Sequence, residues 1–112
     1  MGDGRLPAHL EAGAILRLAE AQGGFGTVIE KGERDAGTIL IVTIFRGEPS
    51  RLYERMPQRD GTRPFRLSRE QDVENNTEFS EYLARRKRQD PDIWIIEADV
   101  ADSERFIASL PQ

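Results

Sequence analysis

The stretch Thr38-Ile39-Leu40-Ile41-Val42-Thr43-Ile44-Phe45-Arg46 decides the fold. From Ile39 to Phe45 nearly every residue is β-branched or aromatic, the types that pack well on a pleated surface. Successive strand residues point to opposite faces, and here both faces are apolar. The stretch therefore reads as a strand in the centre of a sheet. It is far short of the roughly 20 apolar residues that a membrane-spanning helix requires.

Working back from this strand, residues 32–37 read as a turn and Phe25 to Lys31 as a preceding strand. Gly23-Gly24 stops a helix before it, because glycine takes the left-handed conformation that a helix C-terminus often needs. That helix begins near Pro7, whose missing N–H costs nothing in a first turn. Leu10, Ala14, Ile15, Leu18 and Ala19 repeat along it at helical spacing. Working forward, Gly47 to Ser50 turns the chain into a strand from Arg51 to Met56. Pro57 and Asp60-Gly61 then lead to a weaker strand from Arg63 to Ser68. Ser68 to Asn76 is polar and reads as a loop. Asn75 with Glu78 matches a capping-box spacing, and Phe79, Tyr82, Leu83 and Arg86 share the next helical face. Pro91 ends that helix by Asp90. Ile93-Trp94-Ile95-Ile96 is a short buried strand, with Trp94 a core residue, and Ser103 to Leu110 a last short helix.

Short turns make the first four strands an antiparallel meander. The second helix returns the chain so that the fifth strand runs parallel to strands two and four. Set beside strand one, it gives a single antiparallel layer in the order 5-1-2-3-4. Both main helices are then expected on one face, with a short C-terminal helix added. The expectation is an α+β fold with residues 1–6 a frayed N-terminus and 7–112 one domain. At 112 residues, a compact domain has a radius of gyration of about 13 Å and buries roughly 60–70% of its unfolded surface.

Composition narrows the function classes. The chain has no cysteine, which removes disulfides, thiolate metal sites and a thiol nucleophile. The N-terminus lacks the apolar core of a signal peptide, so a cytoplasmic location is expected. Net charge is −4, against a general nucleic-acid binder, but the charge is segregated. Seven arginines lie between Arg46 and Arg69, an acidic stretch runs from Glu70 to Glu81, and the run Arg85-Arg86-Lys87-Arg88 follows.

Few constellations carry chemistry. His9 is the single histidine, no Gly-x-Ser-x-Gly turn is present, and a Ser-His-acid triad has no sequence support. Gly23-Gly24-Phe25-Gly26 follows a helix and precedes a strand, the reverse of a phosphate-binding loop. Asp90, Asp92, Glu97 and Asp99 flank the last strand and have the oxygen donors that Mg²⁺ prefers for phosphodiester hydrolysis. No acid-x-Lys pair accompanies them, and Asp90 and Asp92 equally suit a helix-to-strand turn. Arg85, Arg86, Lys87 and Arg88, with Arg51 and Arg55 extending the patch, are candidates for contact with phosphates or nucleic acid.

Tyr82-Leu83-Ala84-Arg85 followed by Asp90-Pro91-Asp92-Ile93-Trp94-Ile95-Ile96-Glu97 resembles a family of small uncharacterised alphaproteobacterial proteins, classed as a domain of unknown function. Gly24-Phe25, Ala36-Gly37 and Arg105-Phe106 add to the resemblance, and Asp-Pro-Asp-Ile-Trp is its distinctive stretch. The Arg-rich turns of the middle segment depart from the family's more aromatic pattern. The resemblance implies no activity, cofactor or catalytic residue. The resulting expectation is a non-enzymatic interaction domain that binds another protein or its own copy, without cofactor or membrane. RNA or DNA binding through the Arg-rich turns, and a Mg²⁺-dependent phosphodiesterase, are the alternatives.

Overall fold

The computed structural model describes residues 6–111; the expected frayed segment 1–6, apart from Leu6, lies outside them. The elements are α1 (Ala8–Ala21), β1 (Phe25–Glu30), β2 (Ile39–Ile44), β3 (Arg51–Arg55), β4 (Phe65–Glu70), α2 (Asn76–Gln89), β5 (Trp94–Asp99) and α3 (Ser103–Ala108). The expected element order holds throughout. β4 begins and ends two residues later than expected, because Arg69 and Glu70 pair with Leu52 and Arg51 rather than forming a loop. β5 continues to Asp99 because Glu97 and Asp99 pair with strands on both sides.

The five strands form one mixed sheet in the order β1-β5-β2-β3-β4. β5 runs parallel to β2 and antiparallel to β1, as its expected direction requires. It does not sit outside β1, however; it lies between β1 and β2, which corrects both the order and the all-antiparallel assignment. The reason is burial. Trp94, Ile95, Ile96 and Ala98 are all buried, so β5 needs neighbours on both edges and cover on both faces. β1 is exposed along nearly its whole length and suits a sheet edge. The connection from Lys31 to Thr38 is long enough to step across the start of β5. It is pinned there by Glu33 N–H to the Asp92 carbonyl at 2.9 Å and Trp94 Nε1–H to the Glu33 carbonyl at 2.7 Å.

The helices also differ from the one-sided expectation. Ala8, Ala12, Ile15 and Ala19 of α1 share a core with Ile39, Ile41, Tyr53, Phe65, Trp94, Ile96 and the α3 residue Phe106. Leu40, Val42, Leu52, Ile93 and Ile95 form a second core with Phe79 of α2. Thus α1 and α3 cover one face and α2 the other. A strand apolar on both sides, such as Ile39–Ile44, needs two covered faces. Its Ile39 and Ile41 face α1 while Leu40 and Val42 face α2.

Local chemistry sets the ends of the helices. The first amides of α1 are taken by loop carbonyls, Ala8 N–H to Asp35 and His9 N–H to Arg34, at 2.9 and 2.8 Å. At the other end, Gly23 takes φ +82°, a region that residues with a Cβ rarely adopt. At the start of α2 the Asn75 side chain makes no capping bond; its Oδ1 accepts from the Thr77 hydroxyl, and the capping-box expectation fails. The side-chain cap is instead Asp102, which accepts from Arg105 N–H at 3.0 Å and starts α3.

Candidate functional site

The basic run does not form one patch. Consecutive helix positions turn by about 100°, so four neighbours point in four directions. Arg85 and Arg88 are exposed. Arg86 turns inward and donates to Glu54 Oε1 at 2.6 Å and to the Tyr82 hydroxyl at 2.8 Å. Lys87 Nζ donates to the carbonyls of Lys31, Pro91 and Ile93 at 2.8–3.0 Å. All three ammonium donors are thereby used, and they tie the end of α2 to the loop after β1 and to the start of β5.

Arg51 and Arg55 lie on the opposite face from Arg86. Arg51 donates to Glu70 and to the Ser103 hydroxyl, both at 2.9 Å, joining β3 to β4 and α3. The Glu70 carboxylate and the Tyr53 hydroxyl hold its guanidinium pKa above the ordinary value. Arg55 pairs with Glu11, donates to the carbonyls of Arg63 and Pro111, and stacks on the Phe65 ring at 4.2 Å. The Glu11–Arg55 pair forms one wall of a cleft of about 520 Å³ at the start of α1, with Leu6, Pro7, Gly37 and Arg63 also lining it. Arg86, Arg51 and Arg55 thus hold elements together and do not extend a common phosphate-binding surface.

The most connected polar centre was not visible in the sequence. Glu54 accepts from Arg86, from Ser68 at 2.6 Å and from the Tyr82 hydroxyl at 3.4 Å. Burial pushes the Glu54 carboxyl up, but the Ser68 and Arg86 hydrogen bonds and the Arg86 charge outweigh it. The net result is a carboxyl held below the ordinary carboxylate range. Arg69 adds a stack on Tyr82 at 3.8 Å. Ser68 comes within reach because a bulge in β4, opposite Leu52 and Tyr53, shifts the register there. No sequence pattern announces that shift.

The four carboxylates flanking β5 do not converge. Asp90 Oδ1 accepts from Asp92 N–H at 3.1 Å, so the pair organises the helix-to-strand turn. Asp99 is the last residue of the strand, which at about 3.3 Å per residue puts it roughly 20 Å from Asp92. Among the described residues, no group of three or more His, Asp or Glu side chains is placed to hold a metal ion. His9 Nδ1 and Nε2 contact the Arg34 carbonyl and guanidinium at 3.1 and 3.4 Å, and so brace the loop beside α1.

Glu97 and Asp99 do share a face, as period two requires. Glu97 lies between Thr27 and Val42 and Asp99 between Phe25 and Ile44. β1 carries the most concentrated exposed apolar surface, with Phe25 61% and Ile29 50% exposed and Val28 beside them. The sequence reading missed these residues as a surface. The available signal was that Phe25, Val28 and Ile29 do not follow period two, so no single face of β1 is fully committed to a core.

No described helix is long and apolar enough to cross a membrane. A family model described as protein of unknown function (DUF1491) matches residues 6–108. Two structures of a DUF1491 family protein from Caulobacter crescentus, one crystallographic and one by NMR, are each 31% identical to the chain. They give TM-scores of 0.79 and 0.75, covering 96% and 95% of this chain and 98% and 94% of those. A solution structure of a protein from A. tumefaciens is 26% identical, with a TM-score of 0.74 over 96% of this chain and 97% of that one. No curated protein matches the chain. With the family match and the 31% identical structures both spanning almost the whole length, the chain belongs to the DUF1491 family of proteins of unknown function.

Proposed function

We propose that this chain is a protein-interaction domain whose contact surface is the β1 edge. The observation that carries the reading is the exposure of Phe25, Val28 and Ile29 together on one outer strand. β1 pairs with β5 on one side alone, and an unpaired edge offers N–H and C=O groups to an extended segment of another chain. The opposite edge, β4, is less suited to this. Both edge ladders carry a bulge, but β4 has three charged residues, Arg66, Arg69 and Glu70, where β1 has Glu30 alone. The segregated charge and the internal use of Arg86, Lys87, Arg51 and Arg55 favour a protein partner over nucleic acid. The Asp-Pro-Asp-Ile-Trp stretch serves as the family's structural signature in this reading, because it makes the turn that seats Trp94.

The test compares wild type with Phe25→Ser/Ile29→Lys, both residues being surface positions whose change leaves the core intact. Sedimentation velocity over a range of concentrations reads self-association, and affinity purification from a lysate reads other partners. A partner or second copy held by wild type and lost by the variant, at equal melting temperature, supports the proposal. A wild-type chain that stays monomeric and retains nothing the variant lacks overturns it.

A further inference from the structure

The geometry points to the chemistry of the segment that the β1 edge accepts: an extended chain in which Lys or Arg alternates with apolar residues. This deepens the edge reading above and rests on it. On the α2 side of the sheet, Phe25 is the cross-strand neighbour of Asp99, and Thr27 that of Glu97. Phe25, Thr27 and Asp99 are exposed and Glu97 is half-buried, so α2 leaves this end of the face open. Glu97 and Asp99 form no ion pair or side-chain hydrogen bond with any described residue. Glu11, Glu54, Glu70 and Glu78 have arginine partners, whereas Glu97 and Asp99, like Glu20, Glu30, Glu48, Glu81 and Glu104, have none among the described residues. What sets Glu97 and Asp99 apart is position: both stand on one face, one strand in from a free apolar edge.

A segment added beside β1 would lie two strand spacings from β5, about 10 Å between backbones. The combined reach of an extended Lys or Arg and a facing carboxylate closes that gap. Alternate residues of the added strand would place cations over Thr27 toward Glu97 and over Phe25 toward Asp99. The intervening residues would point to the α1 side, next to Val28. At the end of β5, a cleft of about 310 Å³ runs between Phe25 and Phe45, with Asp99 in its lining. The exposed Phe25 ring beside that carboxylate suits a cationic side chain. The Phe45 ring is already taken by Arg46 at 5.4 Å, which forms no ion pair with Asp99. An acidic segment would meet like charge at both positions, so the surface also discriminates.

The test uses the full chain and two acetylated, amidated probe peptides, Lys-Val-Arg-Val-Lys-Val and Glu-Val-Glu-Val-Glu-Val. Binding and its Kd are read from amide shifts in an NMR titration. The basic peptide is expected to bind at low salt, to shift residues 25–30 and 97–101, and to weaken as salt rises. Glu97→Gln/Asp99→Asn should raise its Kd about five- to tenfold, from two partly exposed charge pairs. Equal binding of the acidic peptide, no binding of the basic one, or an unchanged Kd in the double variant overturns the inference. A lysate partner lost by Phe25→Ser/Ile29→Lys but kept by Glu97→Gln/Asp99→Asn would overturn the charge assignment while leaving the edge reading standing.

Discussion

Replacing Glu54 by Leu tests the claim that the second helix is locked to the sheet by a polar centre and not by apolar contact alone. The substitution removes the acceptor of Arg86 at 2.6 Å and of Ser68 at 2.6 Å. A hydrogen bond to a charged group contributes about 1.5–3 kcal/mol and a neutral one about 1 kcal/mol. Breaking a fully buried ion pair costs about 3–5 kcal/mol. The Arg86 side chain keeps 26% of its exposure, so water takes over part of its solvation. The expected loss is therefore about 2–3 kcal/mol. At about 4 °C per kcal/mol for a chain of this length, that is a fall of about 10 °C in Tm. Urea unfolding, followed by Trp94 fluorescence at pH 7, measures it. Adding Arg86→Met singly and in combination gives the coupling energy, expected at about 1–2 kcal/mol.

The same pair sets a pH dependence. Because the Glu54 carboxyl is held below its ordinary value in the folded chain, the unfolded chain takes up that proton first as pH falls. The stabilisation is complete above the unfolded pKa of about 4.3 and disappears as pH drops through the lower folded value. The gap between wild type and Glu54→Leu should thus be constant from pH 5 to 8 and narrow below about pH 4. A loss under about 0.5 kcal/mol at neutral pH, or a gap of the same size at pH 3, refutes the reasoning.

Three further outcomes follow from the same geometry. Lys87→Met strips the donor from three carbonyls, and chemical denaturation should show a loss of about 2 kcal/mol; if Lys87 is only a surface charge, the midpoint will not move. Gly32→Ala places a Cβ 2.1 Å from the Asp92 carbonyl oxygen and 2.6 Å from the Ile93 carbonyl carbon, both rigid backbone. Its melting temperature should fall by about 4–12 °C, as for overpacking of about 1–3 kcal/mol. Asp102→Ala removes the α3 cap, and calorimetry should record about 1 kcal/mol of destabilisation; a neutral result would mean that Phe106 packing alone holds α3.

The sequence by itself determined the eight elements and their order, the central place of Ile39–Ile44, the core role of Trp94 and the direction of β5. Each of these follows from local period, apolar run or turn chemistry within a few residues. Only the tertiary structure decided that β5 separates β1 from β2 and that the helices cover opposite faces. Strand neighbours are chosen by which edges must be buried, and that is settled by competition among all five strands at once. The same holds for the charges. Arg85-Arg86-Lys87-Arg88 is contiguous in the chain, yet the helical turn sends Arg86 to Glu54 and Lys87 to the start of β5. Asp92 and Asp99 lie near each other in sequence, but an extended strand carries them to opposite ends of the sheet. Charged side chains meet according to the path of the backbone in space, which their spacing along the sequence does not contain.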